Sequence, residues 1–234
     1  MHSANRHGES GNALFFILIC VALFAALSFA VTQSSRSGSD ISRERAAILA
    51  SEFIQYGTAL EQAASRMIMM NGVVDYTVDM VDATTRNSAA NGSCTTDKCK
   101  LFHPKGGAIQ GRMMPDDAYE ESFPTGWHPS NRGAASPRVH RVLDVGSEGN
   151  ELGIAWFGIK KDVCLEINRK LGIADYANIP TEPISSAYTG TLTSFPTGGA
   201  ILGSGAPQFA GKRAFCGYHN SSWGYYYYHV LWAR

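Results

Sequence analysis

Charge of either sign is scarce in this sequence, and neither sign is in surplus. Only 17% of the 234 residues are charged, and 20 basic residues balance 20 acidic ones. A protein that grips nucleic acid normally presents a clustered basic face, so no nucleic-acid partner is expected. Short catalytic signatures are also missing: there is no HExxH, no GxSxG and no phosphate-binding loop. Ser, His and Asp occur at no spacing that nominates a triad. The expectation is therefore a protein without enzymatic activity, cofactor or metal. The chain does not have the composition of a disordered one, since large apolar and aromatic residues continue to its last residues. Low charge with 24 glycines fits a loop-rich, partly β domain.

Cysteine is present but sparse. Of the five, Cys20 lies inside an apolar run, which leaves Cys94, Cys99, Cys164 and Cys216. An even number in a domain outside the cytoplasm points to two disulfides. Three pairings exist for four cysteines. Cys94–Cys99, closing a small loop, and Cys164–Cys216, tying a helix to a strand, are favoured. Cys94-x4-Cys99-x3-His103 also loosely resembles metal-ligand spacing, but a fourth ligand is not evident. Free thiols are the remaining alternative. His103 and His128, each followed by proline, read as loop histidines.

Residues 13–31 read ALFFILICVALFAALSFAV, with no charge and no proline. About 20 apolar residues suffice to cross the hydrocarbon core as a helix. The expectation is a transmembrane helix over residues 12–34, in contact with membrane lipid. A buried core helix would normally show a polar face. A signal peptide cleaved after Ala30 is the competing reading, with Ser28 and Ala30 as the small residues it requires. Arg36, Arg43 and Arg45 follow the run while Arg6 precedes it. Counted literally, those charges place the C-terminal side in the cytoplasm. The cysteines and the length of the following domain favour the opposite side.

A second helix is expected over residues 40–72, with Asp40 as its cap and Gly72 at its end. Leu49, Phe53, Tyr56, Leu60, Ala63, Met67 and Met70 recur at spacings of four and three, which is one face of a helix. That stripe is expected to pack on the domain that follows. Glu52, Gln55, Glu61, Gln62 and Arg66 occupy the other face and are candidates for a coiled-coil or filament contact.

A polar leader (residues 1–11), an apolar helix, an amphipathic helix and a β-rich head with cysteines form a recognisable order. The chain resembles a type IV pilin or pseudopilin. The resemblance implies cleavage by a prepilin peptidase after a glycine just before the apolar run, at Gly8 or Gly11. Family members usually carry a glutamate at the fifth mature position. Counted from Gly11, that position is Phe16. Initiator-type minor pseudopilins can lack the glutamate, so the resemblance implies a minor or accessory subunit.

In the head, residues 73–234, the segment 73–81 is read as helical extension or strand. Residues 87–107 and 115–137 are read as irregular, with Tyr119 and Trp127 as anchors. Strands are predicted over 139–145 and 152–159, the second central because nearly all of it is apolar. In the first, Val139, Arg141, Leu143 and Val145 share one face. Residues 160–171 are predicted helical, with Val163, Ile167 and Leu171 buried and Gly172 as the stop. Residues 178–205, rich in Pro, Gly, Ser and Thr, are read as a long exposed excursion. A hairpin is predicted from 209–218 and 225–232. Its aromatic end supplies the candidate contact surface, Trp223, Tyr225, Tyr227 and His229, suited to a surface glycan or protein. Packing within the sheet is the competing role for the same residues.

The sequence thus implies an α+β fold with a membrane-anchored, pilin-like role in a surface filament or secretion apparatus. Its partners would be other pilin-like or assembly subunits, and its location the bacterial inner membrane with the head in the periplasm or on the cell surface. The alternative is a secreted or periplasmic binding module released after Ala30.

Overall fold

The apolar stripe of the second helix decides how the head is built. In a computed structural model, residues 10–34, 38–81, 90–121, 136–184, 194–195, 201–220 and 223–234 are described. Helix α2 spans Gly38–Asn71. Leu49, Phe53, Tyr56, Leu60, Ala63 and Met67 are all buried, as their 3–4 spacing requires. Met70 departs from the stripe. It is 78% exposed, because it lies in the last turn, beyond the reach of the core. Gly72 then takes a φ of 65°, the left-handed conformation that ends a helix cheaply only at glycine. Asp40 is not the cap, since helical structure already begins at Gly38.

The chain forms two compact units, Met1–Glu44 and Arg45–Arg234. The first contains α1, Ser10–Ser34, in which no residue carries a charge. Every side chain described there, at residues 14–29, is exposed. The transmembrane expectation is corrected at this point: among the described residues, no helix is long and apolar enough to cross a membrane.

In the second unit, five strands form one sheet in the order β3-β1-β2-β5-β4. They are β1, Ser136–Val142; β2, Glu151–Ile159; β3, Ile201–Leu202; β4, Ala214–Tyr218; and β5, Tyr225–Trp232. Neighbours pair antiparallel except β1 with β3, which run parallel. The long apolar β2 is central, as its composition predicts. Strand β1 lies earlier than predicted. It begins at Ser136 and takes in Pro137, and it closes before Asp144, whose φ is 61°. The predicted common face for Val139 and Val145 is lost with that shift: Val139 joins the core under α2, and Val145 the core on the opposite side.

Both faces of the sheet are covered. On one, α2 and the short helix α3, Lys161–Lys170, pack on Val139, Leu152, Ile154, Trp156 and Tyr227. Val163, Cys164 and Ile167 face inward from α3, and Gly172 follows it with a φ of 63°. On the other, Ile173, Ile184, Leu202, Ala206 and Phe209 cover Phe215, Tyr226, Tyr228 and Val230. The excursion of residues 178–205 is therefore not simply exposed. Its described parts supply the second cover of the sheet, and one piece of it is β3. The segment 73–81 is neither continuing helix nor strand. It makes a 3₁₀ turn, Asp75–Thr77, with Val78 buried and Val74 and Val81 exposed.

Two disulfides, Cys94–Cys99 and Cys164–Cys216, hold the head. The second joins α3 to β4, and Asn168 one turn further along α3 reinforces the join. Its side-chain amide donates to the Cys216 carbonyl and accepts the Cys216 N–H, each at 2.7 Å. Asn168 is fully buried, so removing its amide leaves two backbone groups of β4 without partners or water. Asn168→Ala is expected to lower the unfolding free energy by about 2–4 kcal/mol in chemical denaturation. Replacing both Cys164 and Cys216 by alanine is expected to cost about 4 kcal/mol, from loop-closure entropy over their separation of 52 residues. The Cys94–Cys99 pair, 5 residues apart, is expected to cost about half as much when removed.

Candidate functional site

The residues nominated from the sequence separate in space. Gly8 lies outside the described residues, and Gly11 and Ala30 lie within α1. Trp223 and Tyr225 are half-buried, at the turn and start of β5. Tyr227 and His229 are interior, 0% and 4% exposed, and so cannot form a contact surface. Their side of β5 faces α2, and the Tyr227 ring stacks on Trp156 at 5.5 Å. The Cys94–Cys99 disulfide consumes both thiols of the Cys-Cys-His pattern. His103 lies instead 3.7 Å from Asp97. Among the described residues no three His, Cys, Asp or Glu side chains gather as metal ligands.

What the fold does assemble is two polar clusters, one on each face of the sheet. The first lies between α2 and β5. His229 Nε2 is 2.8 Å from Glu61 Oε2, and His229 Nδ1 is 2.6 Å from the Tyr227 hydroxyl. With Nε2–H donating to the carboxylate, Nδ1 accepts the tyrosine O–H. Arg213 completes the group at 2.7 Å from Glu61 Oε1. Gly57 makes this arrangement possible, because a Cβ there would sit 2.6 Å from His229 Nδ1 and 3.0 Å from the Tyr227 hydroxyl. Burial pushes the Glu61 carboxyl up, but the hydrogen bond from His229, with the charge and hydrogen bond of Arg213, outweighs that and holds it below the ordinary carboxylate range. Glu61 and Arg66 were candidates for an outward filament contact. They are used within the head: Arg66 donates to the Gly107 carbonyl. Glu52 likewise pairs with Arg112 at 2.6 Å.

The second cluster lies on the opposite face, under the 173–209 cover. Arg138, His140 and Glu151 are all buried, at 5%, 1% and 0% exposure. Registry brings them together, since His140 pairs with Glu151 and Arg138 with Gly153 across β1 and β2. Tyr228 reaches in from β5, its hydroxyl lying where a side chain at position 153 would be. Arg138 extends along the sheet toward the hairpin turn, its guanidinium 4.9 Å from the Phe157 ring centre and 5.8 Å from that of Trp223. Glu151 accepts the Val142 N–H at 2.8 Å through one oxygen, while its other oxygen has no hydrogen-bond partner. Burial pushes the Glu151 carboxyl up to about 7, against the opposing pull of the Val142 bond and Arg141. Charged residues at alternate positions 138 and 140 are the sequence signal for this cluster. Without the β1–β2 register, that signal could not be joined to Glu151.

The chain matches no protein family, no curated protein and no solved structure.

Half-buried Glu61 and buried Glu151 make opposite contributions to stability. Glu61 has a lowered folded pKa, so its contribution is present above the ordinary value of 4.5 and lost as pH falls through the folded value. Glu61→Gln is expected to cost about 1–2 kcal/mol at neutral pH, with the deficit shrinking in acid. Glu151 has a raised folded pKa, so its contribution is complete below 4.5 and lost as pH rises to about 7. Glu151→Gln is expected to be near neutral in acid and stabilising by on the order of 2 kcal/mol above neutrality. Denaturation midpoints across pH 4–8 read both, the range chosen to bracket roughly the two glutamates' transitions.

Proposed function

We propose that this chain is a pilin-like structural and interaction subunit of a surface filament or secretion apparatus, minor or accessory in rank. The observation that carries the reading is α1. It is a helix without charge, and every described side chain from residue 14 to residue 29 is exposed. Phe24 is 74% exposed and Leu27 68%. An apolar surface of this extent needs a cover. The corresponding helices of neighbouring subunits are a chemically matched one. The two disulfides of the head support residence in an oxidising compartment, the periplasm or the cell surface. The element order supports the same reading: a long helix laid along an antiparallel sheet, with a disulfide to β4 and closing strand β5. Phe16, where the resembling family usually has glutamate, supports the minor rank. The role is one of assembly rather than catalysis.

Mass spectrometry of the mature protein tests the reading at the N-terminus. A chain beginning at Asn12, or at Glu9 if the cut follows Gly8, is the expected result. An intact Met1 overturns it, and a start at Val31 transfers the protein to the released binding module. Packing is tested through Cys20, the free and exposed cysteine of α1. Mild oxidation of the assembled protein is expected to give dimers that disappear in Cys20→Ser. A chain that stays monomeric under oxidation speaks against helix-to-helix association.

A further inference from the structure

Arg138 is a buried cation. It is 5% exposed, its Nε–H has no acceptor, and among the described residues no ion pair engages it. Its described contacts are with aromatic rings, Phe157 and Trp223. Taking a guanidinium out of water is costly, and the cation–π contacts offset only part of that cost. Burial draws the group down only to about 10, so it remains charged at neutral pH. The nearest elements supply no neutralising partner. Among the described residues neither carboxylate of this face forms an ion pair with Arg138: Glu151 accepts the Val142 N–H through one oxygen while its other oxygen has no hydrogen-bond partner, and the Glu182 carboxylate is turned toward the backbone of residues 203–206.

The surroundings of this cation are specific. Phe157 and Trp223 lie edge to face with ring centres 4.8 Å apart, and His219 lies 5.7 Å from Trp223. All three are half-buried, so this end of the cluster reaches the surface beside the turn between β4 and β5. The floor is β2, where Gly153, registered against Arg138, leaves room for the Tyr228 hydroxyl, which lies where a side chain at 153 would be. Tyr228, also fully buried, presents a hydroxyl with no partner from the adjacent strand.

From this geometry we infer that Arg138, with Phe157, Trp223 and the Tyr228 hydroxyl, forms a binding site for a monovalent carboxylate carried on a flat apolar or aromatic body. The guanidinium is a planar fork that matches a carboxylate with two parallel hydrogen bonds. One buried positive charge neutralises one negative charge; a dianion such as phosphate would keep an uncompensated charge near Glu151. The aromatic walls receive the body of the ligand at low entropy cost. The site lies wholly within the head and is independent of whether the chain assembles.

Benzoate is the probe, added to the purified full chain while the Arg138 Nε–H resonance is followed by NMR. The signal is assigned by its loss in Arg138→Gln. Saturable movement of that resonance is expected, nearly complete at about 10 mM for a millimolar Kd. Benzamide, the same body without charge, is expected to leave it in place. Arg138→Gln is expected to abolish the benzoate-dependent rise in thermal unfolding midpoint. Arg138→Lys keeps the charge but not the fork, and it is expected to weaken binding at least about tenfold; it also serves if the glutamine variant does not fold. Absence of saturation, equal binding of benzamide, or undiminished binding by Arg138→Lys each overturns the inference. Phosphate binding as tightly as benzoate overturns the assignment of a monovalent carboxylate.

Discussion

The position of Phe53 governs the head. This fully buried ring meets three others edge to face: Tyr119 at 6.2 Å, Trp156 at 6.0 Å and Tyr227 at 5.8 Å. Those partners come from a loop, the central strand and the closing strand, so a single side chain of α2 packs on three segments at once. Each such aromatic pair contributes about 0.5–1.5 kcal/mol beyond the area it buries. The consequence propagates through the pleat. With Tyr227 turned toward the helix, Tyr226 and Tyr228 must turn away from it. That gives the far face of the sheet an aromatic surface of its own, which Ile173, Ile184, Leu202, Ala206 and Phe209 cover.

The two polar clusters sit in equivalent places on opposite faces and are finished differently. Between α2 and β5, Glu61, His229, Tyr227 and Arg213 satisfy one another, and the group acts as a fastening between helix and sheet. Beneath the 173–209 cover, Arg138, Glu151 and Tyr228 each retain a buried atom with no hydrogen-bond partner. A closed network contributes rigidity, whereas an incomplete one keeps interaction capacity in reserve at a cost in stability. This contrast makes the far face, not the helix-bearing face, the chemically interesting side of the head.

Much of the architecture was legible from residue pattern. The α2 stripe from Leu49 to Met67, the centrality of β2, the α3 stop at Gly172 and both disulfides could be read because each rests on local spacing or composition. The failures have a common cause in tertiary burial. Tyr225 to Tyr228 alternate as a strand should, but both sheet faces are covered, so neither pair marks a surface. The Pro, Gly, Ser and Thr content of residues 178–205 reads as exposed, yet Ile184 and Leu202 within it are buried. Asn168 carries no signal at all, since its role depends on β4 passing beside α3. For α1, hydropathy alone read the segment as spanning a membrane, whereas among the described residues no helix is both long and apolar enough for that.

The Asn168 amide has one more consequence. By taking both outward backbone groups of Cys216, it does the work of an absent sixth strand. Pro180 and Glu182 do the same for Tyr218, whose N–H and carbonyl they engage at 2.9 Å each. At these residues the β4 margin is already saturated, so a neighbouring molecule cannot extend the sheet there by adding a strand. Association through this side of the head must therefore be a matter of side-chain surfaces meeting, which can be tight or loose, reversible and selective. At Cys216 and Tyr218 it cannot proceed by the backbone pairing that permits open-ended polymerisation.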